Sequence, residues 1–197
     1  MKFRSFCAAV ALSFILVTAW AAEPQIYFSR SAPVSQVISR EITAAQKSIH
    51  VMMYSFTDKD LAAALIEASM RGVDVRVIID RNQSSERNSV SSTLVEALGP
   101  DRVVFRTGRG RGVMHQKLAI FDGLTVSLGS YNWTANAKAN NWENIIVLRD
   151  ARIAAECQAE FRRVWDSPAP KPREEKEPAA KAPAQKTPAR KQPAKKS

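Results

Sequence analysis

His115, Lys117, Ser130 and Asn132 lie within one short stretch, Met114 to Trp133. Together they suit a phosphodiester. A lysine ammonium is a point charge for phosphate oxygens, and serine and asparagine add hydrogen bonds to them. An imidazole can attack phosphorus or move protons near neutral pH. Fixed cations can offset the charge that develops in the transition state, so this set needs no metal ion. With Asp122 included, the full spacing is H-x-K-x4-D-x6-G-S-x-N. An isolated H-x-K is as easily a chance pair on a surface strand, but the longer pattern is far more specific.

The same stretch supplies the elements that must position these groups. Leu118, Ile120 and the alternation around them predict a strand, and Asp122-Gly123 is a hairpin turn signal. Leu124 to Leu128 alternates as a second strand, ended by Gly129-Ser130. Residues two apart in a strand share a face, so His115 and Lys117 are expected side by side. The hairpin then returns Ser130 and Asn132 to the start of the first strand.

At these residues the sequence resembles the phospholipase D superfamily, whose signature is H-x-K-x4-D followed by x6-G-G/S-x-N. It is most similar to the small bacterial nucleases that carry the motif once per chain. The resemblance runs over roughly Gln25 to Trp165. It includes Ser48-Ile-His-Val-Met-Met-Tyr-Ser-Phe56 and Asn141-Trp142-Glu143-Asn144. It implies that His115 is the nucleophile and forms a phosphohistidine, while a second histidine protonates the leaving group. It maps the family's lysine and asparagine onto Lys117 and Asn132. It also implies that Glu143 orients its own His115; without it, Glu143 reads as a surface charge at a strand start. No cofactor is implied. Asp122 stays open between a catalytic role and a structural one, through hydrogen bonds at its turn.

Along the chain, residues 1–22 stand apart. Lys2 and Arg4 form a basic start, Phe6 to Thr18 an apolar core, and Ala19-Trp20-Ala21 a small-x-small cleavage signal. This reads as a secretory signal peptide, which makes the protein exported, periplasmic or secreted, without stable membrane insertion after cleavage. An uncleaved anchor competes, but the apolar run is at the short end for a spanning helix. Cys7 leaves with the signal, so Cys157 alone remains and no intrachain disulfide is expected. It reads as a buried apolar side chain of the last helix.

Residues 23–166 read as the catalytic domain. Strands are expected at Gln25–Phe28, Ser48–Tyr54, Val73–Ile79, Val103–Phe105 and Asn144–Leu148, besides the hairpin. Helices are expected from Pro33 to about Gln46, from the Thr57-Asp58-Lys59-Asp60 capping signal to about Met70, over Val90–Leu98, and from Asp150 to about Trp165. Strands alternating with helices predict an α/β fold, a central mixed β-sheet with helices on both faces, in an α-β-α sandwich.

Residues 167–197 hold seven of the ten prolines and nine Lys/Arg against three Glu. No apolar periodicity remains, so a disordered basic tail is expected. It is a solvated arm, and its functional reading is salt-dependent attraction to polyanions. Closer to the motif, Arg106, Arg109 and Arg111 alternate with glycines before His115. They read as a mobile phosphate-backbone cradle, against an ordinary basic surface loop. Trp133 and Trp142 could stack on bases or pack in the core.

The chain has two histidines, and nothing around His50 resembles the motif. Nucleophile-plus-acid chemistry needs two proton-active groups. His50 reads as a structural strand residue, so the second group is expected from the His115 of another copy. The resemblance implies the same, because members with one motif pair as two-fold dimers whose motifs meet. The reading is a metal-independent phosphodiesterase acting on nucleic acid, DNA or RNA, as a homodimer. A lipid phosphodiesterase and a non-catalytic nucleic-acid-binding module are the alternatives.

Overall fold

The computed structural model describes residues 22–169. The predicted signal segment, but for Ala22, and nearly all of the basic tail lie outside the described residues. Seven strands are present: Ala22–Phe28 (β1), Ser48–Met53 (β2), Asp74–Asp80 (β3), Val103–Arg106 (β4), Lys117–Phe121 (β5), Thr125–Gly129 (β6) and Asn144–Arg149 (β7). Among the described residues six helices accompany them: Val34–Ala44 (α1), Lys59–Met70 (α2), Arg81–Ser84 (α3), Ser91–Leu98 (α4), Ala135–Ala139 (α5) and Ala151–Trp165 (α6).

The strands form one mixed sheet in the order β1-β7-β6-β5-β2-β3-β4. β2, β3 and β4 run parallel, as helical crossovers require, and the remaining neighbours pair antiparallel. Alternation sorts each strand between two apolar layers. Ile49, Val51 and Met53 of β2, with Ala119 and Phe121 of β5, pack in one layer with the buried faces of α1, α2 and α4. Met52, Leu118 and Ile120 point the other way, into a layer with Ala154 and Phe161 of α6. This is the helix-flanked mixed sheet that the alternation of elements predicts.

Helix starts follow the capping residues. Asp58 accepts hydrogen bonds from the Asp60 and Leu61 amides, and Asp150 from those of Arg152 and Ile153. The two short helices α3 and α5 are not predicted from the sequence. Neither is long enough to show a 3.6-residue period. Their N-caps were the available signal, since Asp80 and Thr134 both accept from amides of the first turn.

The Asp122-Gly123 turn has φ values of 55° and 65°, both left-handed, as a type I′ hairpin turn needs. Leu124 also intervenes before the first strand pair, Phe121 with Thr125, and in the resulting β5–β6 register Leu118 faces Leu128. That register brings the residues after β6 back to the start of β5.

Candidate active site

His115 stands just before β5, held by its two neighbours. The Met114 amide donates to Asp80 Oδ2 at 2.9 Å, and the Gln116 carbonyl accepts from the Tyr54 amide at 2.8 Å. Asp80 is fully buried at the end of β3, where its other oxygen caps α3. The chain on either side of His115 is thus tied to the ends of β3 and β2, and the imidazole itself is exposed. Sequence reasoning missed Asp80. A lone aspartate at a strand end carries no motif, and its partner lies far along the chain.

The imidazole packs on the Tyr54 ring, with centroids 4.4 Å apart. The Lys117 ammonium sits 3.1 Å from both ring nitrogens of His115 and 4.9 Å from the Tyr54 centroid. Burial holds the ammonium below the ordinary lysine range, while the Glu143 charge pulls it upward. An ammonium can only donate, so its contact with the ring nitrogens is one in which an imidazole lone pair accepts. Tyr54 is a second residue that the sequence pattern does not single out, because its role comes from ring contacts across strands.

Ser130 and Asn132 return to this end of the sheet. Gly129 makes the return possible. A Cβ there would lie 2.2 Å from the Asn144 carbonyl oxygen, inside the β6–β7 contact. The Ser130 amide then donates to that carbonyl at 3.1 Å. The Ser130 hydroxyl donates to Glu143 Oε2 at 2.5 Å and accepts from the Asn144 amide. Its proton is therefore engaged by Glu143 in this structure, where Ser130 was expected to bind phosphate. The other Glu143 oxygen accepts from Asn141 at 3.0 Å. Glu143 meets the site through Ser130 and through its charge on Lys117; its hydrogen bonds do not go to its own His115. Asn132 accepts from the Ser55 amide at 3.3 Å through Oδ1, which leaves its NH2 group for a phosphate oxygen.

Asp122 belongs elsewhere. Its carboxylate accepts from the Gln46, Lys47 and Ser48 amides at the far end of β5. Burial works to raise its pKa, but those three amides and the Lys47 charge outweigh it, and the net shift is downward. These are the backbone hydrogen bonds that the structural alternative for Asp122 expects. Arg106 also leaves the expected cradle. Its guanidinium donates to the Val164 and Trp165 carbonyls at the end of α6. Arg109 and Arg111 are exposed, and their side chains form no ion pair with described residues. Their loop is closed by a bond from the Gly108 amide to the Gly112 carbonyl and a bridge between Thr107 and Val113. A Cβ on Gly108 would meet the Gly112 carbon and the Val113 nitrogen at 2.9 Å, so tight closure explains that glycine.

The tryptophans divide. Trp133 is buried edge-on against Phe56, whereas Trp142 is 83% exposed beside Glu143. His50 lies on the α6 face, stacked on Phe161 and 2.7 Å from Gln158, as a structural residue would. Cys157 is half-buried on α6, in the apolar layer beneath that helix. Among the described residues, no group of three or more His, Cys, Asp or Glu is placed to hold a metal ion. No described helix is long and apolar enough to cross a membrane. A cavity of about 420 Å³ between α2 and the start of α4 is lined by neither His115 nor Lys117. The reactive groups stand instead on an open rim.

Residues 38–165 match the family described as cardiolipin synthase, PLD-like domain. The chain belongs to the phospholipase D superfamily. Nuc from Salmonella typhimurium, a member of this superfamily, superposes with a TM-score of 0.67 at 28% identity, over 73% of this chain and 94% of Nuc. NucT from Helicobacter pylori gives 0.68 at 25% identity, over 74% and 96%. The phospholipase D of Rickettsia felis is 35% identical over 130 residues, 64% of this chain and 62% of that protein. The mitochondrial cardiolipin hydrolase of Xenopus laevis is 36% identical over 129 residues, 64% of this chain and 58% of that protein. The chain thus spans about three fifths of these two relatives and nearly all of the two bacterial superfamily structures.

Proposed function

We propose that this chain is an exported phosphodiesterase of the phospholipase D superfamily, a metal-independent endonuclease of little sequence preference. The carrying observation is the convergence of an exposed His115, the Lys117 ammonium and the free Asn132 amide at one sheet end. In the first step a His115 nitrogen attacks phosphorus. The N–P bond forms, the P–O bond to the leaving group breaks, and Lys117 and Asn132 hold the non-bridging oxygens. A second His115, from a paired copy, gives its proton to the leaving oxygen. It then takes a proton from the water that cleaves the N–P bond.

Nucleic acid is favoured over lipid by the two unpaired arginines before His115 and by the exposed Trp142. Phosphate contacts of this kind carry no base information. The likeness to Nuc and NucT supports the same choice. Relatives named phospholipase D and cardiolipin hydrolase make lipid phosphodiester the second reading. The basic, proline-rich tail supports a role in holding polyanions, and the composition of residues 1–22 supports export.

The test incubates the protein and its His115→Ala variant with plasmid DNA, RNA and cardiolipin vesicles, with and without EDTA. Nucleic acid should be cut by the parent alone and in excess chelator. Hydrolysis of cardiolipin only would establish the lipid reading, and loss with EDTA reversed by Mg²⁺ would end the metal-independent one. Binding of nucleic acid with no hydrolysis of any substrate would leave the non-catalytic module.

A further inference from the structure

The cavity of about 420 Å³ lies on the sheet face that α1, α2 and α4 cover. Its volume is within the ~300–1,000 Å³ usual for small-molecule sites. Ala62 and Ile66, one helical turn apart on α2, give it an apolar wall together with Val90. Asn88 and Thr93 add polar groups, and Lys59 and Arg87 add two cations. No carboxylate lines it. Both cations are exposed, and neither forms an ion pair with a described residue.

Two stretches of chain tie this cavity to the reactive end of the sheet. On one wall, β2 runs on through Tyr54, which packs on His115, and Ser55, whose amide donates to Asn132. The next residue, Phe56, accepts from the Val90 amide at 3.1 Å, and the Thr57 and Asp58 amides donate to the Trp133 carbonyl. Lys59 follows as the first residue of α2. Its Cα therefore lies within ~18 Å of that of Tyr54, the span of five extended residues. On the other wall, β3 ends at Asp80, which holds the Met114 amide, and α3 leads on to the loop that carries Arg87. The cavity thus stands at the same strand ends as His115, where open α/β sheets bind their ligands.

The lining selects the ligand. Two cations with no carboxylate among them call for an anion. The apolar wall beside them calls for a ligand with an apolar body. A nucleotide has both parts. A phospholipid also has both, but its acyl chains need a long apolar surface, and Asn88, Thr93 and the two cations interrupt this one.

We propose that this cavity is a subsite for a nucleotide of the substrate strand beyond the scissile phosphate. Lys59 and Arg87 hold the phosphates that flank that nucleotide, and Ala62, Ile66 and Val90 seat its base. The inference rests on the nuclease reading above and adds the residues that grip the strand away from the reacting bond.

The experiment compares the full-length parent with Lys59→Gln/Arg87→Gln and with Ala63→Trp, which fills the cavity from an exposed lining position. The substrates are a long oligo-thymidine strand and a thymidine dinucleotide. The dinucleotide carries one phosphate, so it cannot occupy His115 and the two cations together. Both variants should keep the parent's circular dichroism, since all three positions are exposed. Both should raise KM for the long strand ~10-fold with kcat held, and leave both constants for the dinucleotide unchanged. In a His115→Ala background, removing the two cations should lower the logarithmic salt slope for binding the long strand by ~1.4, at ~0.7 per phosphate.

Parent-like KM and salt slope in variants that still cut the long strand overturn the subsite and leave the nuclease reading standing. An equal rise in KM for the dinucleotide also overturns it, because the cations would then act at the reacting phosphate. Variants impaired only on cardiolipin vesicles assign the cavity to lipid and overturn the proposal. A parent that cleaves cardiolipin and no nucleic acid overturns both the subsite and the nuclease reading.

Discussion

At the start of β5, an exposed imidazole meets a half-buried ammonium over an aromatic ring, and the Asn132 amide still has donors to give. At the other end of the same strand, Asp122 has spent its carboxylate on three backbone amides. Both ends belong to one sequence motif, H-x-K-x4-D. Their difference shows what its spacing encodes: x4 is the remainder of β5 after Lys117, which separates the His115 end from an anchoring end. The anchoring end holds the turn and the entry to β2, and so fixes the register that returns Asn132 to His115.

Removing the proposed nucleophile is the strongest way to break the comparison. His115→Ala should lower hydrolysis of plasmid DNA to background, with melting temperature and nucleic-acid binding near those of the parent. Near-normal turnover would falsify the assignment.

Lys117→Ala should cost ~10²–10³-fold in kcat, the usual scale for losing a transition-state charge. Because the charged ammonium is the working form and burial lowers its pKa, parent activity should fall as pH rises, starting below the ordinary lysine range. A pH profile that stays flat to the ordinary lysine pKa would show that Lys117 does not supply that charge.

Tyr54→Leu removes the ring beneath both groups, and kcat should fall ~10-fold through looser geometry. Tyr54→Phe keeps the ring and should restore most of it. Equal losses in both variants would mean that the hydroxyl, not the stacking, matters.

The anchoring end should affect activity least and stability most. Asp122→Ala should destabilise by about 2 kcal/mol, the scale for hydrogen bonds to a charged group, with kcat of the folded protein nearly unchanged. The aspartate pKa is depressed in the fold, so its contribution is present above the ordinary aspartate value. It is lost as pH falls through the depressed value, and the parent and Asp122→Asn stability curves should converge in acid. A kcat loss comparable to that of Lys117→Ala would return Asp122 to the chemistry.

Much of this molecule was legible in sequence because it is set by neighbours in the chain. The 2.0 and 3.6 periods give the strands and longer helices, and Asp122-Gly123 dictates a turn of one hand. That turn, with strand alternation, already places His115 beside Lys117 and returns Asn132 to them. What only the tertiary structure decided are contacts between chain-distant residues, each satisfying a polar or apolar surface that local sequence leaves open. Asp80 reaches Met114, Tyr54 reaches His115, and Glu143 takes the Ser130 proton. Arg106 reaches the Val164 and Trp165 carbonyls at the end of α6, a contact across 58 and 59 residues of chain. The cavity between α2 and α4 has the same origin: the helical period says that Ala62 and Ile66 share a face of α2, but how the Arg87 loop and α4 seat against that face decides that a cavity stays open there.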